Sequence, residues 1–115
     1  MSRLEPFVSG ASLAAATSHI GIVVTANPTY YDPYNLARML ASLDHLSQGR
    51  ASWNLVTGAD EIAAGNFSRQ SHWDTERRYD WADEFVAVVR GLWDSDATTP
   101  LHHKGRYFDV AGPLN

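Results

Sequence analysis

The sequence predicts an α/β protein built around a parallel sheet. Segments with helical and strand patterns alternate along its 115 residues, in the order helix, strand, helix, strand, helix, and a hairpin-like tail follows. Such alternation is typical of parallel strands joined by helical crossovers. Two parallel strands leave both outer edges of their sheet unpaired, and a buried strand needs neighbours on both sides. We therefore expect the chain to be an incomplete part of a larger sheet.

The first helix is predicted over residues 5–17, and the first strand over Ile20–Thr25. Pro6 suits the first turn of a helix, and several alanines give the segment a small-residue face, although Gly10 lowers its helix propensity. The strand segment is short, apolar and rich in β-branched residues. Such a run is typical of a strand that is buried on both faces.

The second helix has the clearest signals in the sequence. Asp32 is a favourable N-cap residue, Pro33 suits the first helical position, and Gly49 stands where a left-handed residue commonly ends a helix. Apolar residues recur at helical spacing and predict one core-facing stripe. This stripe consists of Leu36, Met39, Leu40, Leu43 and Leu46. The second strand is predicted over Ala51–Thr57.

Three further segments complete the pattern. Residues 58–73 are predicted to form a long loop, and loops of that length in compact domains are often functional. A long helix is predicted from about Thr75 to Trp93. Its apolar stripe consists of Ala82, Phe85, Val86, Val89, Leu92 and Trp93. The tail, residues 101–110, is predicted to form a hairpin that turns at Lys104 and Gly105.

Composition and charge exclude several classes of function. The formal net charge is −4 and the nine Lys and Arg residues are scattered, which argues against nucleic acid as the main partner. No apolar run approaches the ~20 residues that a membrane-spanning helix needs, so no membrane is expected as a partner. The chain has no cysteine, which excludes disulfides and thiolate sites. These features fit a cytoplasmic protein.

The five histidines do not show the spacing of a metal site. They form no paired pattern such as His-Glu-x-x-His, and the adjacent His102 and His103 would point to opposite sides of a strand. We expect structural or surface roles for them, and no metal. The four tryptophans are expected to pack in the core and the loops rather than to form a stacking platform.

Ordered blocks across nearly the whole chain carry a family resemblance. They are Thr17–Thr25, Tyr34–Arg38, Ala41–Ser47, Gly49–Thr57, Arg78–Tyr79, Glu84–Phe85, Gly91–Asp94, His103–Phe108 and Gly112–Asn115. In these blocks the chain resembles the flavin-dependent monooxygenases of the bacterial luciferase superfamily. Within that family it is closest to the branch that oxidises nitrilotriacetate, dibenzothiophene sulfone and long-chain alkanes.

This resemblance implies a TIM (β/α)8 barrel. The chain would supply about strands three and four with their helices, plus a small hairpin. A typical TIM barrel needs roughly 250 residues, so residues 1–115 would form one incomplete barrel segment. Strands one, two and five to eight would be absent, and the segment would be either a truncated reading frame or a divergent relict.

The resemblance also implies a two-component enzyme. Reduced FMN would arrive from a separate flavin reductase and react with O2, and a small organic substrate would be oxygenated. Two alternatives stay open. In the first, the intact protein uses a deazaflavin in place of FMN. In the second, the chain is a non-catalytic remnant that acts by pairing with another chain. Exposed strand edges favour association, either of the chain with itself as a homo-oligomer or with another barrel fragment.

Two candidate cofactor residues fall at the ends of the predicted strands. Active sites of TIM barrels lie at the carboxyl ends of the strands. Thr25 ends the first strand and is similar to the family residue that touches the flavin ring; the alternative is a threonine satisfied by its own loop. Asn54 interrupts an apolar strand, and its amide needs a partner there. That partner is either the flavin or a polar group of the neighbouring strand.

Two further candidates lie at the start of the long helix. Tyr79 is similar to the family tyrosine that reaches the FMN phosphate, and helix N-termini attract anions. Thr75 stands where the family commonly has a histidine, and it can supply neither an imidazole ring nor its charge. Arg77 and Arg78 could add positive charge, although a solvated face is the alternative for at least one of them.

Overall fold

The computed structural model describes residues 3–58 and 61–115; Met1, Ser2, Ala59 and Asp60 lie outside the described residues. Its helices are α1 (Pro6–Ala16), a 3₁₀ helix (Pro28–Tyr30), α2 (Pro33–Leu46), α3 (Glu61–Asn66) and α4 (Thr75–Trp93). Its strands are β1 (Ile22–Ala26), β2 (Ala51–Leu55), β3 (Leu101–Lys104) and β4 (Asp109–Gly112). The predicted alternation of helices and strands is confirmed. None of the described helices is long and apolar enough to cross a bilayer.

β1 and β2 form a two-stranded parallel sheet. Ile22 pairs with Ala51, and Ala26 pairs with Leu55. α2 provides the crossover between them, as parallel strands require. The predicted α/β class with a parallel sheet is therefore confirmed.

Only one face of this sheet is covered. Ile22, Val24 and Ala26 are buried in a core shared with α1 and α2, whereas Val23 between them is 63% exposed. The prediction that this strand is buried on both faces is therefore wrong, and Ile20 lies outside the strand. The apolar sequence misleads because no described element packs against the second face.

α1 lies close to the sheet because Gly10 has no side chain. A Cβ at this position would lie 2.9 Å from Val24 Cγ1. Glu5 caps the helix by accepting a hydrogen bond from the backbone N–H of Val8 at 2.8 Å. The glycine that lowers helix propensity is thus needed for packing between helix and strand.

The main core lies between the sheet, α2 and α4. Its largest buried members from the two helices are Leu36, Leu40, Leu43, Phe85, Val88, Val89 and Leu92. Val88 is absent from the predicted stripe, whereas Leu46, which that stripe includes, is 67% exposed as the last residue of α2. Trp93 is also exposed in part, and its indole N–H donates to the Ala37 carbonyl oxygen at 3.1 Å. Apart from Val86, which is only partly buried, the remaining stripe residues are buried or packed against the core, which confirms that part of the prediction.

The ends of α2 agree with the prediction. Asp32 Oδ1 accepts hydrogen bonds from the backbone N–H groups of Tyr34 and Asn35 at 2.9 and 3.2 Å. Gly49 has a φ of +84°, and its N–H donates to the Asp44 carbonyl oxygen at 2.9 Å. This is the left-handed helix end that glycine favours.

The segment 58–73 is not a continuous loop. α3 occupies Glu61–Asn66, so the loop prediction is wrong for these residues. Ala63 and Ala64 have high helix propensity, and the helix buries Ala64. Because polar residues come after Asn66, this short helix could not be distinguished from a loop in the sequence.

The predicted hairpin is confirmed, but its turn is longer than expected. β3 and β4 pair antiparallel, and the Gly105 N–H donates to the Phe108 carbonyl oxygen at 2.8 Å. The turn therefore spans residues 105–108 rather than Lys104 and Gly105 alone. Glu84 of α4 explains this geometry, because its carboxylate accepts backbone hydrogen bonds from Tyr107 and Phe108 at 3.0 and 3.1 Å.

Candidate functional site

The carboxyl ends of β1 and β2 bring together two of the four predicted cofactor residues. Thr25 and Asn54 are register partners, and Asn54 Nδ2 donates a hydrogen bond to Thr25 Oγ1 at 3.2 Å. Both side chains are exposed on the sheet face opposite the helices. In a (β/α)8 barrel, the fold that the family resemblance implies, the helices form the outer ring, and this open face would line the barrel interior.

Asn27 joins the segment after β1 to the segment after β2. Its Oδ1 accepts a hydrogen bond from the Thr29 backbone N–H at 3.0 Å, and its Nδ2 donates to the Thr57 carbonyl oxygen at 3.2 Å. Gly58 has a φ of +59°, and a Cβ there would lie 2.5 Å from Asn27 Nδ2. One amide therefore holds both connections at the same edge of the sheet, and glycine is the residue that fits beside it.

His72 makes further contacts at the carboxyl ends of β1 and β2. Its side chain is buried, and Nε2 lies 3.1 Å from the Gly58 carbonyl oxygen. A carbonyl can only accept, so Nε2 carries the ring proton, and Nδ1 accepts the hydroxyl hydrogen of Tyr30 at 2.5 Å. The His72 backbone N–H donates to Glu61 Oε2 at 3.1 Å. Among the described residues, no group of three His, Cys, Asp or Glu side chains is placed to hold a metal ion.

Thr75 and Tyr79 lie one turn apart at the start of α4. Tyr79 is 55% exposed, so its hydroxyl is accessible. Arg78 donates through Nη1 to the Trp73 carbonyl oxygen at 2.8 Å and through Nη2 to Thr75 Oγ1 at 3.4 Å. Arg78 Nε is buried without a hydrogen-bond partner. Arg78 is therefore fixed in the structure and does not form a freely solvated face.

Acidic residues occupy part of the positive end of α4. Asp74 caps the helix, with Oδ1 accepting a hydrogen bond from the Arg77 backbone N–H at 2.9 Å. Glu76 adds a second carboxylate in the first turn. Carboxylates at a helix N-terminus satisfy free N–H groups and offset the helix dipole. An anion bound here would depend mainly on side chains, of which those of Tyr79 and Arg77 are exposed.

Trp81 connects the start of α4 to the segment after β1. Its indole N–H donates to the Pro28 carbonyl oxygen at 2.9 Å. Its ring packs against Trp73, Tyr107 and Phe108, with centroid distances of 5.0, 5.2 and 4.5 Å. The expectation that tryptophans pack in the core and loops is confirmed here, and the hairpin supports the site through this ring.

An arginine that the sequence analysis did not identify also lies at this edge. The guanidinium carbon of Arg69 lies 4.9 Å from the Tyr30 ring centroid and 4.1 Å from that of Trp73. Arg77 covers Trp73 as well, at 4.0 Å. The concentration of aromatic and basic residues between 67 and 78 is the only local signal that pointed to such a cluster.

The four predicted residues thus form two separate pairs. Thr25 bonds to Asn54 at the strand ends, and Thr75 lies beside Tyr79 on α4. No hydrogen bond joins the first pair to the second in the described part of the chain. Asn27, His72 and Trp81 connect the loops that carry the pairs.

The sequence matches a known family along its whole length. The family model for luciferase-like monooxygenases matches residues 1–115. N-acetyl-S-(2-succino)cysteine monooxygenase of Bacillus subtilis is 45% identical, and the match covers 100% of this chain and 30% of that protein. Nitrilotriacetate monooxygenase component A of Aminobacter aminovorans is 44% identical, with 97% and 29% covered. Dibenzothiophene-sulfone and long-chain alkane monooxygenases also match, at 41% and 33% identity, which confirms the expected branch.

The fold agrees with that assignment. A crystal structure of a riboflavin lyase with modified FMN and riboflavin superimposes with a TM-score of 0.90 at 35% identity. The superposition covers 100% of this chain and 30% of the lyase. The chain spans about a third or less of the length of the proteins that it matches here. The chain belongs to the luciferase-like monooxygenase family.

Proposed function

We propose that the chain is part of a two-component monooxygenase. Reduced FMN, supplied by a separate flavin reductase, would react with O2, and a small organic substrate would be oxygenated. The Thr25–Asn54 pair is the observation that carries this proposal, because it places polar groups at the carboxyl ends of parallel strands on the open sheet face. Active sites of barrel enzymes lie at that end of the strands.

The pair has hydrogen-bonding capacity to spare for a flavin ring. Asn54 uses one amide hydrogen for Thr25, and Thr25 Oγ1 accepts it. The Thr25 hydroxyl hydrogen and the Asn54 carboxamide oxygen have no partner among the described residues. One group can donate and the other can accept, which fits the edge of a flavin ring that carries both kinds of group. Bound FMN would supply the oxygen chemistry, while these side chains would bind and orient it.

Thr75 and Tyr79 are the proposed residues for the phosphate end of the cofactor. The Tyr79 hydroxyl is accessible for a hydrogen bond, and Thr75 Oγ1 lies beside the fixed guanidinium of Arg78. Since Asp74 and Glu76 offset the helix dipole, we expect Tyr79 to contribute more than the helix end itself. A threonine in place of the family's histidine gives this site a neutral hydroxyl where an imidazole would otherwise lie.

The related proteins support a flavin and a second component. The lyase whose structure matches holds a modified FMN, which favours FMN over a deazaflavin for the parent of this chain. The nitrilotriacetate relative is named as component A, which supports a separate reductase. The substrate is a small organic molecule in this proposal, since the named relatives act on several different ones.

Titration of the chain with FMN tests the role of the strand-end pair. We expect Thr25→Val and Asn54→Leu each to weaken FMN binding by about tenfold, since each removes a hydrogen bond to the ring. Ser52→Ala is the matched control, because Ser52 is exposed on the same face of β2, further from the carboxyl end. Equal affinities for all three variants would contradict the proposed site. A parallel titration with a deazaflavin separates the two cofactor classes.

The isolated chain is expected to turn over little or no substrate. Its open sheet face leaves any bound flavin in water, whereas oxygenation needs a site that excludes water. Oxygen uptake with FMN and a flavin reductase measures this directly. Robust oxygenation of an organic substrate by the purified 115-residue chain would overturn the proposal that activity belongs to a complete barrel.

A further inference from the structure

We propose that Arg69 binds an oxyanion, a carboxylate or phosphate group of a ligand, at the carboxyl-end edge of the sheet. The structure places its guanidinium between the rings of Tyr30 and Trp73. The inference deepens the proposed function by adding a ligand-binding residue to the same edge. It also stands on its own geometry, so the two can fail independently.

The aromatic rings fix the position of the guanidinium. Tyr30 and Trp73 lie 4.9 and 4.1 Å from its central carbon, within the distance at which a cation interacts with a ring face. Stacking on the faces leaves the edge of the planar guanidinium for hydrogen bonding, and since Nη1 is buried, a ligand would meet Nε and Nη2. A planar fork of donors is the geometry that binds carboxylate and phosphate oxygens in pairs.

The charge of Arg69 has no counterion among the described residues. Its guanidinium forms no ion pair with any described carboxylate, as the described ion pairs are His103–Glu84 and Arg106–Asp80. Its Nη1 is buried and has no hydrogen-bond partner. Burying an unpaired charged donor is costly, so such a group is normally paired. An anionic ligand bound to the accessible edge of the same guanidinium would offset the cost of the buried charge.

Neighbouring contacts keep the arginine at the mouth of the site. Tyr30 lies in the 3₁₀ helix directly after β1, and its hydroxyl is bonded to His72, which in turn bonds to Gly58 after β2. Trp73 precedes α4 and packs on Trp81. The residues that hold Arg69 are therefore the ones that connect the two strand ends to the start of α4.

Arg77 provides a matched control for Arg69. It stacks on the same indole at a similar distance, 4.0 Å, but its side chain is exposed and has no buried unpaired nitrogen. Replacing either arginine removes one positive charge and one cation–π contact from Trp73. The two substitutions differ in that Arg69 also contacts the Tyr30 ring and has a buried, unpaired Nη1.

The test is an NMR titration of the chain and of its R69Q and R77Q variants. The probes are inorganic phosphate, succinate, citrate, FMN and riboflavin, and the signals are the Arg69 Nε–H and the Trp73 indole N–H. We expect at least one anionic probe to shift both signals in the unmodified chain. R69Q should weaken that binding by about tenfold or more, as loss of a charge-assisted hydrogen bond predicts, and R77Q by less than about threefold. Unchanged spectra for the rest of the core show that the variants remain folded.

The probes also separate the two sources of the anion. If R69Q weakens FMN binding but leaves riboflavin binding unchanged, the group is the cofactor phosphate. If R69Q weakens citrate or succinate binding and leaves FMN unaffected, the group is a substrate carboxylate. Equal effects of R69Q and R77Q, or no shift with any anion, would overturn the inference. Anion binding at Arg69 without FMN binding at Thr25 and Asn54 would instead contradict the proposed function alone.

Discussion

Gly58 meets two constraints at a single residue. Its φ of +59° favours glycine, and a Cβ would lie 2.5 Å from the Asn27 amide that ties the two strand ends together. We expect Gly58→Ala to destabilise the chain by about 2–3 kcal/mol, from backbone strain plus displacement of Asn27. Urea unfolding monitored by circular dichroism measures the change.

Gly49 and Gly65 separate these two contributions. Gly49 has a φ of +84° with open space around it, so Gly49→Ala should cost only the strain, about 1 kcal/mol. Gly65 lies in α3 with open space and no positive φ, and its replacement by alanine should be neutral or stabilising. If Gly58→Ala costs no more than Gly49→Ala, the contact with Asn27 does not constrain this edge.

At the other end of the sheet, Arg50 connects the segments that precede β1 and β2, as Asn27 connects the segments that follow them. Its guanidinium donates to the carbonyl oxygens of Ala14, Thr17, Ile20 and Ser47 and to the Thr17 hydroxyl, at 2.7–3.0 Å. We expect Arg50→Lys to cost about 2–4 kcal/mol in the free energy of unfolding, because one ammonium cannot replace a planar fork of five donors. Arg38→Lys is the control, since Arg38 is exposed and only covers Tyr34; a comparable loss there would contradict this role for Arg50.

At the scale of elements, one carboxylate fastens the hairpin to α4. Glu84 accepts hydrogen bonds from the Tyr107 and Phe108 backbone and from His103 Nε2 at 3.0 Å. A Cβ at Gly105 would collide with the same carboxylate. Burial by itself raises the pKa of Glu84, but the hydrogen bonds from His103, Tyr107 and Phe108 outweigh it and leave that pKa below its ordinary value of 4.5.

This lowered pKa predicts how the stability of the hairpin depends on pH. Because the folded pKa lies below the unfolded one, the stabilisation is complete above about pH 4.5 and is lost as the pH falls through the folded value. We expect Glu84→Gln to lower stability by about 1 kcal/mol near neutral pH, and its difference from the unmodified chain should shrink in acid. Asp80→Asn is the control, since Asp80 pairs with Arg106 at an exposed site. Thermal unfolding at several pH values measures this difference. If the stability difference between Glu84→Gln and the unmodified chain stayed constant with pH, the prediction would be contradicted.

At the scale of the whole molecule, the open face and the unpaired edges of the parallel sheet favour association. Val23 is 63% exposed on that face, and each strand has one edge without a described neighbour. We expect the purified chain to self-associate in a concentration-dependent way, and Val23→Lys to shift the equilibrium towards the monomer. Sedimentation velocity measures both effects.

Leu46→Lys is the control for association, because Leu46 is as exposed as Val23 but lies at the end of α2. A compact monomer at all concentrations would contradict both the association and the view that the chain is an incomplete barrel. Equal effects of the two substitutions would mean that the helical layer, and not the sheet face, carries the contact.

The sequence by itself determined the secondary structure and the family of this protein. Asp32, Pro33 and Gly49 mark the ends of α2 through contacts with residues a few positions away, and the spacing of Leu36, Leu40 and Leu43 defines its buried side. Such signals act within one or two turns of a helix, so they can be read without the fold. α3 is the exception, because a short helix has too few residues for a periodic pattern.

Only the tertiary structure decided which residues meet. The Asn54–Thr25 bond joins residues 29 positions apart, and the Tyr30–His72 bond joins residues 42 positions apart. The exposed face of β1 and the unpaired charge of Arg69 likewise depend on which elements pack around them. No local pattern in the sequence reports such distant contacts, because they form when the sheet register and the packing of α4 bring separate loops to one edge.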